Sequence, residues 1–140
     1  MTSIIAYRKS IDNTYTRELL LPEDDNRQRL GTELATVDGF TYVSIPDGAV
    51  LPADQPKEIA STVEVLSMPL ADDLRYSICL ASPHVKLIDI RVVEKIRARY
   101  AIEDEIKLLR TGPSDSFNQW NAYVEECRAW GRAEKAALGL

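Results

Sequence analysis

The stretch TELATVDGFTYVSI, residues 32–45, sets the reading of the fold. Two runs rich in Thr, Val, Tyr, Phe and Ile flank Asp38-Gly39. An Asp-Gly pair supplies the positive φ angles that a two-residue hairpin turn requires. Residues 32–37 and 40–45 are therefore expected to pair as antiparallel strands. In the second arm Phe40, Tyr42 and Ser44 point one way, and Thr41, Val43 and Ile45 the other. Neither face carries a charge, which predicts a strand covered on both sides.

Outward from this hairpin the signals stay β-like as far as residue 68. Residues 14–21 form another β-rich run. Residues 46–56, PDGAVLPADQP, are bracketed by prolines, each of which removes an N–H and restricts its predecessor. They read as a loop and, in a small domain, as a contact arm. Val50 and Leu51 at its centre are candidate partner contacts. Residues 59–68 fit two patterns. Ile59, Val63 and Leu66 suit a helical face, while Thr62, Val63 and Val65 suit a strand, and the strand is preferred.

From residue 70 the apolar period changes to that of a helix. Leu70, Leu74 and Ile78 predict a short helix ending near Ala81. Ser82-Pro83 reads as the start of the next, with Ser as N-cap and Pro at the first helical position. Val85, Ile88, Val92 and Ile96 line one face of a helix running to about Tyr100. A third helix begins near Ile102. Glu103, Asp104 and Glu105 sit at its positive end, Lys107 and Arg110 toward its negative end. Gly112-Pro113 stops it, and Ser114 caps a last helix carrying Phe117, Trp120, Val124 and Cys127 as a narrow stripe, flanked by Tyr123 and Trp130. Strands followed by helices predict an α+β fold: a small N-terminal antiparallel β region over residues 1–68, with the loop at 46–56, then a C-terminal helical bundle of three to four helices over 69–140.

Composition narrows the function classes. The 140 residues are 45% hydrophobic and 28% charged, with one His, two Cys and a net charge of −5. These values suit a soluble globular chain and argue against a broadly cationic nucleic-acid binder, a disulfide-stapled module or a Cys/His zinc domain. Residues 1–83 carry −6, residues 84–110 carry +2 and residues 111–140 carry −1. No apolar run follows Arg8 and Lys9 as a secretory signal would need, and no stretch approaches a membrane span. Cys79 and Cys127 are expected to be buried free thiols in a reducing cytoplasm.

The motifs of catalysis are missing. His84, the single imidazole, reads as a helix-terminal packing residue, and no G-x-S-x-G elbow accompanies it. The acidic groups at 23–25, 72–73 and 103–105 lack the calcium-loop pattern and read as solvated loops and helix starts. There is no Walker loop and no G-x-G-x-x-G. Lys86, Arg91, Lys95, Arg97 and Arg99 share one helix with only Asp89 and Glu94, which makes 83–100 the best DNA-binding candidate. They spread around the helix, however, and the domain lacks a basic footprint, so nucleic acid is disfavoured. The aromatics of the last helix read first as a core stripe and second as interface anchors, and Leu138-Gly139-Leu140 as an apolar end that could dock on a neighbour.

Ser82-Pro83-His84-Val85, Arg91-Val92-Val93, Ile96-Arg97, Tyr100 and Glu103-Asp104-Glu105-Ile106, with the run from Val124 to Arg132, resemble small proteins of tailed-bacteriophage and prophage late-gene regions. The resemblance covers roughly residues 56–140 and leaves residues 1–55 as an adaptable docking part. It implies a non-enzymatic virion protein or assembly factor of the tail or tail-fibre region, made in the host cytoplasm and located in the virion. It implies no catalytic residues, cofactor or metal. Partners would be other phage structural proteins or copies of the chain itself, with no membrane. The interface candidates are Val50, Leu51, Phe117, Trp120, Tyr123, Trp130 and Leu140. Two alternatives stand beside this: a tail-fibre assembly chaperone absent from the mature virion, and a small DNA-binding regulator using helix 83–100.

Overall fold

A computed structural model of the chain describes residues 2–140, and the fold is α+β. Strands β1 (Thr2–Tyr7), β2 (Ser10–Ile11), β3 (Tyr15–Thr16), β4 (Thr32–Val37) and β5 (Phe40–Pro46) come first. Then follow a single helical turn α1 (Lys57–Ala60), β6 (Glu64–Val65), and helices α2 (Asp72–Ala81), α3 (Pro83–Arg99), α4 (Ile102–Thr111) and α5 (Asp115–Ala137). The chain divides into two compact units. One runs up to His84 and takes in Ala137–Leu140; the other is Val85–Ala136. The division thus falls at the start of α3, not at the 68/69 change of period, because α2 packs on β4 of the sheet.

In the first unit an antiparallel sheet has the order β4-β5-β1-β6. The expected hairpin is β4-β5, turning at Asp38 (φ 51°) and Gly39 (φ 83°), the doubly left-handed geometry of a type I′ turn. Thr41 to Ile45 are all buried, so β5 is covered on both faces. Alternation sorts the core in two. Ile4, Ala6 and Tyr42 face Leu34, Leu70 and Ile78 on one side. Ile5, Tyr7, Val43 and Ile45 face Leu19 and Ile59 on the other. A bulge between Glu33 and Ala35 inserts one residue into β4, which lets both Leu34 and Ala35 join the first cluster.

Several expectations change here. β1 is a central strand, although its sequence was not read as β. Of residues 14–21 only Tyr15–Thr16 is strand; Leu19 leaves that path to cap the second core. Residues 59–68 are neither one strand nor one helix: Ile59 is buried from α1 and only Glu64–Val65 pairs, with Ile5 and Ala6. The helix start at Ser82-Pro83 stands: α3 begins at Pro83, and the fully buried Ser82 also ends α2, its N–H donating to Ile78 O. Loop 46–56 is tied down by Gln55. Its side-chain amide donates to the carbonyls of Leu20 and Pro52, and its Oε1 accepts the Leu20 N–H at 2.9 Å.

In the second unit, Asp104 accepts the Ala101 N–H at 3.1 Å and so closes the start of α4. Gly112, at φ 77°, ends that helix. Ser114 Oγ accepts the Phe117 N–H at 3.0 Å, as an N-cap should.

Candidate functional site

The aromatic row of α5 is held by contacts within its own unit. Phe117 meets Trp120 edge-on, with ring centroids 5.3 Å apart. Trp120 Nε1 donates to Glu105 Oε2 at 2.8 Å, and the other oxygen of that carboxylate pairs with Arg97. Tyr123 donates its hydroxyl to Lys95 O at 2.8 Å, and Arg99 lies over its ring at 4.7 Å. Burial, with help from the Cys127 thiol, pushes the Tyr123 phenol up. Lys95 Nζ sits 4.6 Å from the centre of the Trp130 ring. Phe117, Trp120, Tyr123 and Trp130 are all half-buried, so much of their surface is spent inside the chain.

The other interface candidates belong to the first unit. Leu51 packs on the second core cluster and Leu140 on the first. The apolar end of the chain is therefore seated on its own sheet, where Gly139 passes so close that a β-carbon would meet Ile4 at 3.0 Å. Val50 alone of the seven stands free, at 81% exposed.

A surface that sequence reasoning missed lies on α4. Ile102, Ile106 and Leu109 are 56%, 50% and 62% exposed. At about 100° per residue they fall within about 60° of arc. The helix packs instead through Glu105 and Leu108, both half-buried. The i, i+4, i+7 spacing is present in the sequence, where the charged ends of the helix are the stronger signal. The neighbouring helix α3 is apolar on two sides. Val85 and Ile88 are buried, while Leu87, Ile90 and Val93 are exposed.

Two clefts deserve chemical scrutiny. One, of about 440 Å³, is lined by Arg99, Tyr100, Asp104, Lys107, Thr111, Ser114 and Ser116. Two of its hydroxyls serve helix ends: Thr111 donates to Leu108 O and Ser114 caps α5. It offers polar contacts without a nucleophile set against a base. The other, of about 340 Å³, is lined by Glu18, Glu23, Arg29, Leu19–Leu21 and Pro52, and a smaller neighbour of about 140 Å³ adds Tyr7 and Glu33. There the hydrogen bond from Lys9 to Glu33, at 2.9 Å, raises the lysine, and burial raises the Tyr7 phenol. Both groups are held protonated at neutral pH, the wrong direction for a general base.

His84 is exposed, Cys79 half-buried and Cys127 buried, and the two cysteines form no disulfide with each other. Asp24 Oδ1 accepts the N–H groups of Asn26 and Gln28, so this carboxylate shapes a turn. Among the described residues no group of His, Cys, Asp and Glu is arranged to hold a metal ion, and no helix is long and apolar enough to cross a membrane. Of the five cations on α3, Lys95, Arg97 and Arg99 are engaged with Trp130, Glu105 and Tyr123. That leaves Lys86 and Arg91 for an outside partner, a small footprint for a phosphate backbone. Comparison with protein families, curated proteins and solved structures finds no match for this chain.

Proposed function

We propose that the protein is a non-enzymatic virion component of a phage tail or tail-fibre region that works through protein–protein contacts. The observation that carries the contact role is the exposed stripe of Ile102, Ile106 and Leu109 on α4. A ten-residue helix has little intrinsic stability in water, and this one turns its apolar side outward. A surface like this is costly to leave in water and is a common mark of an interaction site. The phage setting rests on the resemblance of residues 56–140 to late-region proteins.

Mass spectrometry of purified particles tests the reading. A virion component gives peptides of this chain in fixed ratio to the other tail proteins. Absence from finished particles, with presence in assembling lysates, removes the structural role in favour of the chaperone.

A further inference from the structure

We propose that the outward face of α4 is a two-fold interface on which the occupant is the same helix of a second copy of this chain. The proposal deepens the contact role above and rests on it. Two features of α4 select a copy of itself. The first is its charge pattern. Glu103 and Arg110 lie on the same flank of the apolar stripe, at about 100° and 80° from Ile102 on a helical wheel. Neither makes an ion pair within the chain, among the described residues. Antiparallel pairing about a two-fold axis near Ile106 sets Glu103 of one copy against Arg110 of the other, twice. It packs Ile106 on its own counterpart and Ile102 beside the other copy's Leu109. Parallel pairing would lose both contacts, because each flank would then meet the opposite flank of the other copy. A surface whose acidic half matches its own basic half is self-complementary, which is what an isologous interface requires.

The second feature is extent. Arg97 follows Ile90 and Val93 on the exposed side of α3 at i+7 and i+4, and its ion pair with Glu105 joins that side to α4. Glu105 stands one turn from both Ile102 and Leu109. Val93, Ile90 and Leu87 thus add a second exposed apolar side to the same unit, each 44% exposed or more, as are Ile102, Ile106 and Leu109. Together six large aliphatic side chains about half bare present roughly 500 Å², a large part of the roughly 800 Å² each partner contributes to a standard interface.

The experiment is sedimentation velocity of the purified full chain over a concentration series. The native chain is expected to dimerise. Glu103→Arg and Arg110→Glu should each weaken the dimer about tenfold by setting like charges together at both ends. The double variant E103R/R110E should recover it, since the swap keeps the flanks complementary. Ile106→Lys should give monomers. A native chain that stays monomeric at its solubility limit overturns the proposal. So does a dimer that survives Ile106→Lys, or a double variant no tighter than the singles. If Ile106→Lys fails to fold by circular dichroism, the charge variants decide, because both positions are exposed. A monomeric chain found in virions would sink this interface and leave the virion role standing; a dimer absent from virions would do the reverse.

Discussion

Gly131 of α5 lies directly against Val92 of α3: a β-carbon on the glycine would stand 2.6 Å from Val92 Cγ2. Gly131 is helical and buried, so left-handed backbone is not what calls for glycine there. Close approach is. In a free helix Gly131→Ala would gain about 1 kcal/mol from propensity. Here the methyl group meets a β-branched side chain with little freedom to swing away. Overpacking of this kind costs about 1–3 kcal/mol, so the variant is expected to be less stable. In a Val92→Ala background the same change should be neutral or stabilising. Urea unfolding followed by circular dichroism measures both, and stabilisation by Gly131→Ala alone would contradict the packing.

Glu105 binds two helices to its own by accepting from Trp120 and pairing with Arg97. Its side chain is only 17% exposed. Glu105→Ala leaves the indole N–H without an acceptor and should cost about 2 kcal/mol. Glu105→Gln keeps an acceptor oxygen and should cost less. Fluorescence of Trp120 in a Trp130→Phe chain would report the loss of that bond directly; an unchanged spectrum in Glu105→Ala would count against it.

Tyr7 and Lys9 contribute to the alkaline limb of stability, as do Tyr42 and Tyr123, whose phenols burial also raises. Burial raises Tyr7 and Glu33 raises Lys9. A group whose pKa is higher folded than unfolded contributes fully below its unfolded value and loses that contribution as pH rises through the folded one. Stability is therefore expected to hold up to about pH 10 and to fall above it. Tyr7→Phe should fall less steeply there, as read from denaturation midpoints at stepped pH.

Ser114 Oγ caps the start of α5 by accepting the Phe117 N–H. Ser114→Ala should destabilise by about 1 kcal/mol, and Ser114→Asp should restore most of it. Equal melting of all three would show that the cap contributes nothing.

What could be read from sequence followed the strength of the local signal. Asp38-Gly39 fixed a hairpin because few other backbones suit that pair, and Ser114 after Gly112-Pro113 marked a helix start for the same reason. β1 escaped because Ile4, Ile5, Ala6 and Tyr7 are apolar without a break, the pattern of a strand buried on both faces, which periodicity cannot separate from other buried segments. Residues 59–68 escaped because Ile59 and Val65 obey different elements with only three residues between them. The interface candidates on α5 are aromatic, the residue type that anchors interfaces. Side chains that size also bridge helices, as Trp120 and Tyr123 do here, and sequence does not say which use prevails. The α4 stripe was legible in its spacing, but that it faces outward depends on Glu105 being held by Trp120 and Arg97.

The seating of Leu138 and Leu140 on the sheet's first core has a consequence in time. The ribosome makes β1 to α2 early and the residues that finish their core only after α5. Throughout that interval the nascent sheet carries an open seam beside Ile4, where Gly139 later lies. Order of synthesis and order of closure are thus opposed here, and β1 waits for Leu138 and Leu140.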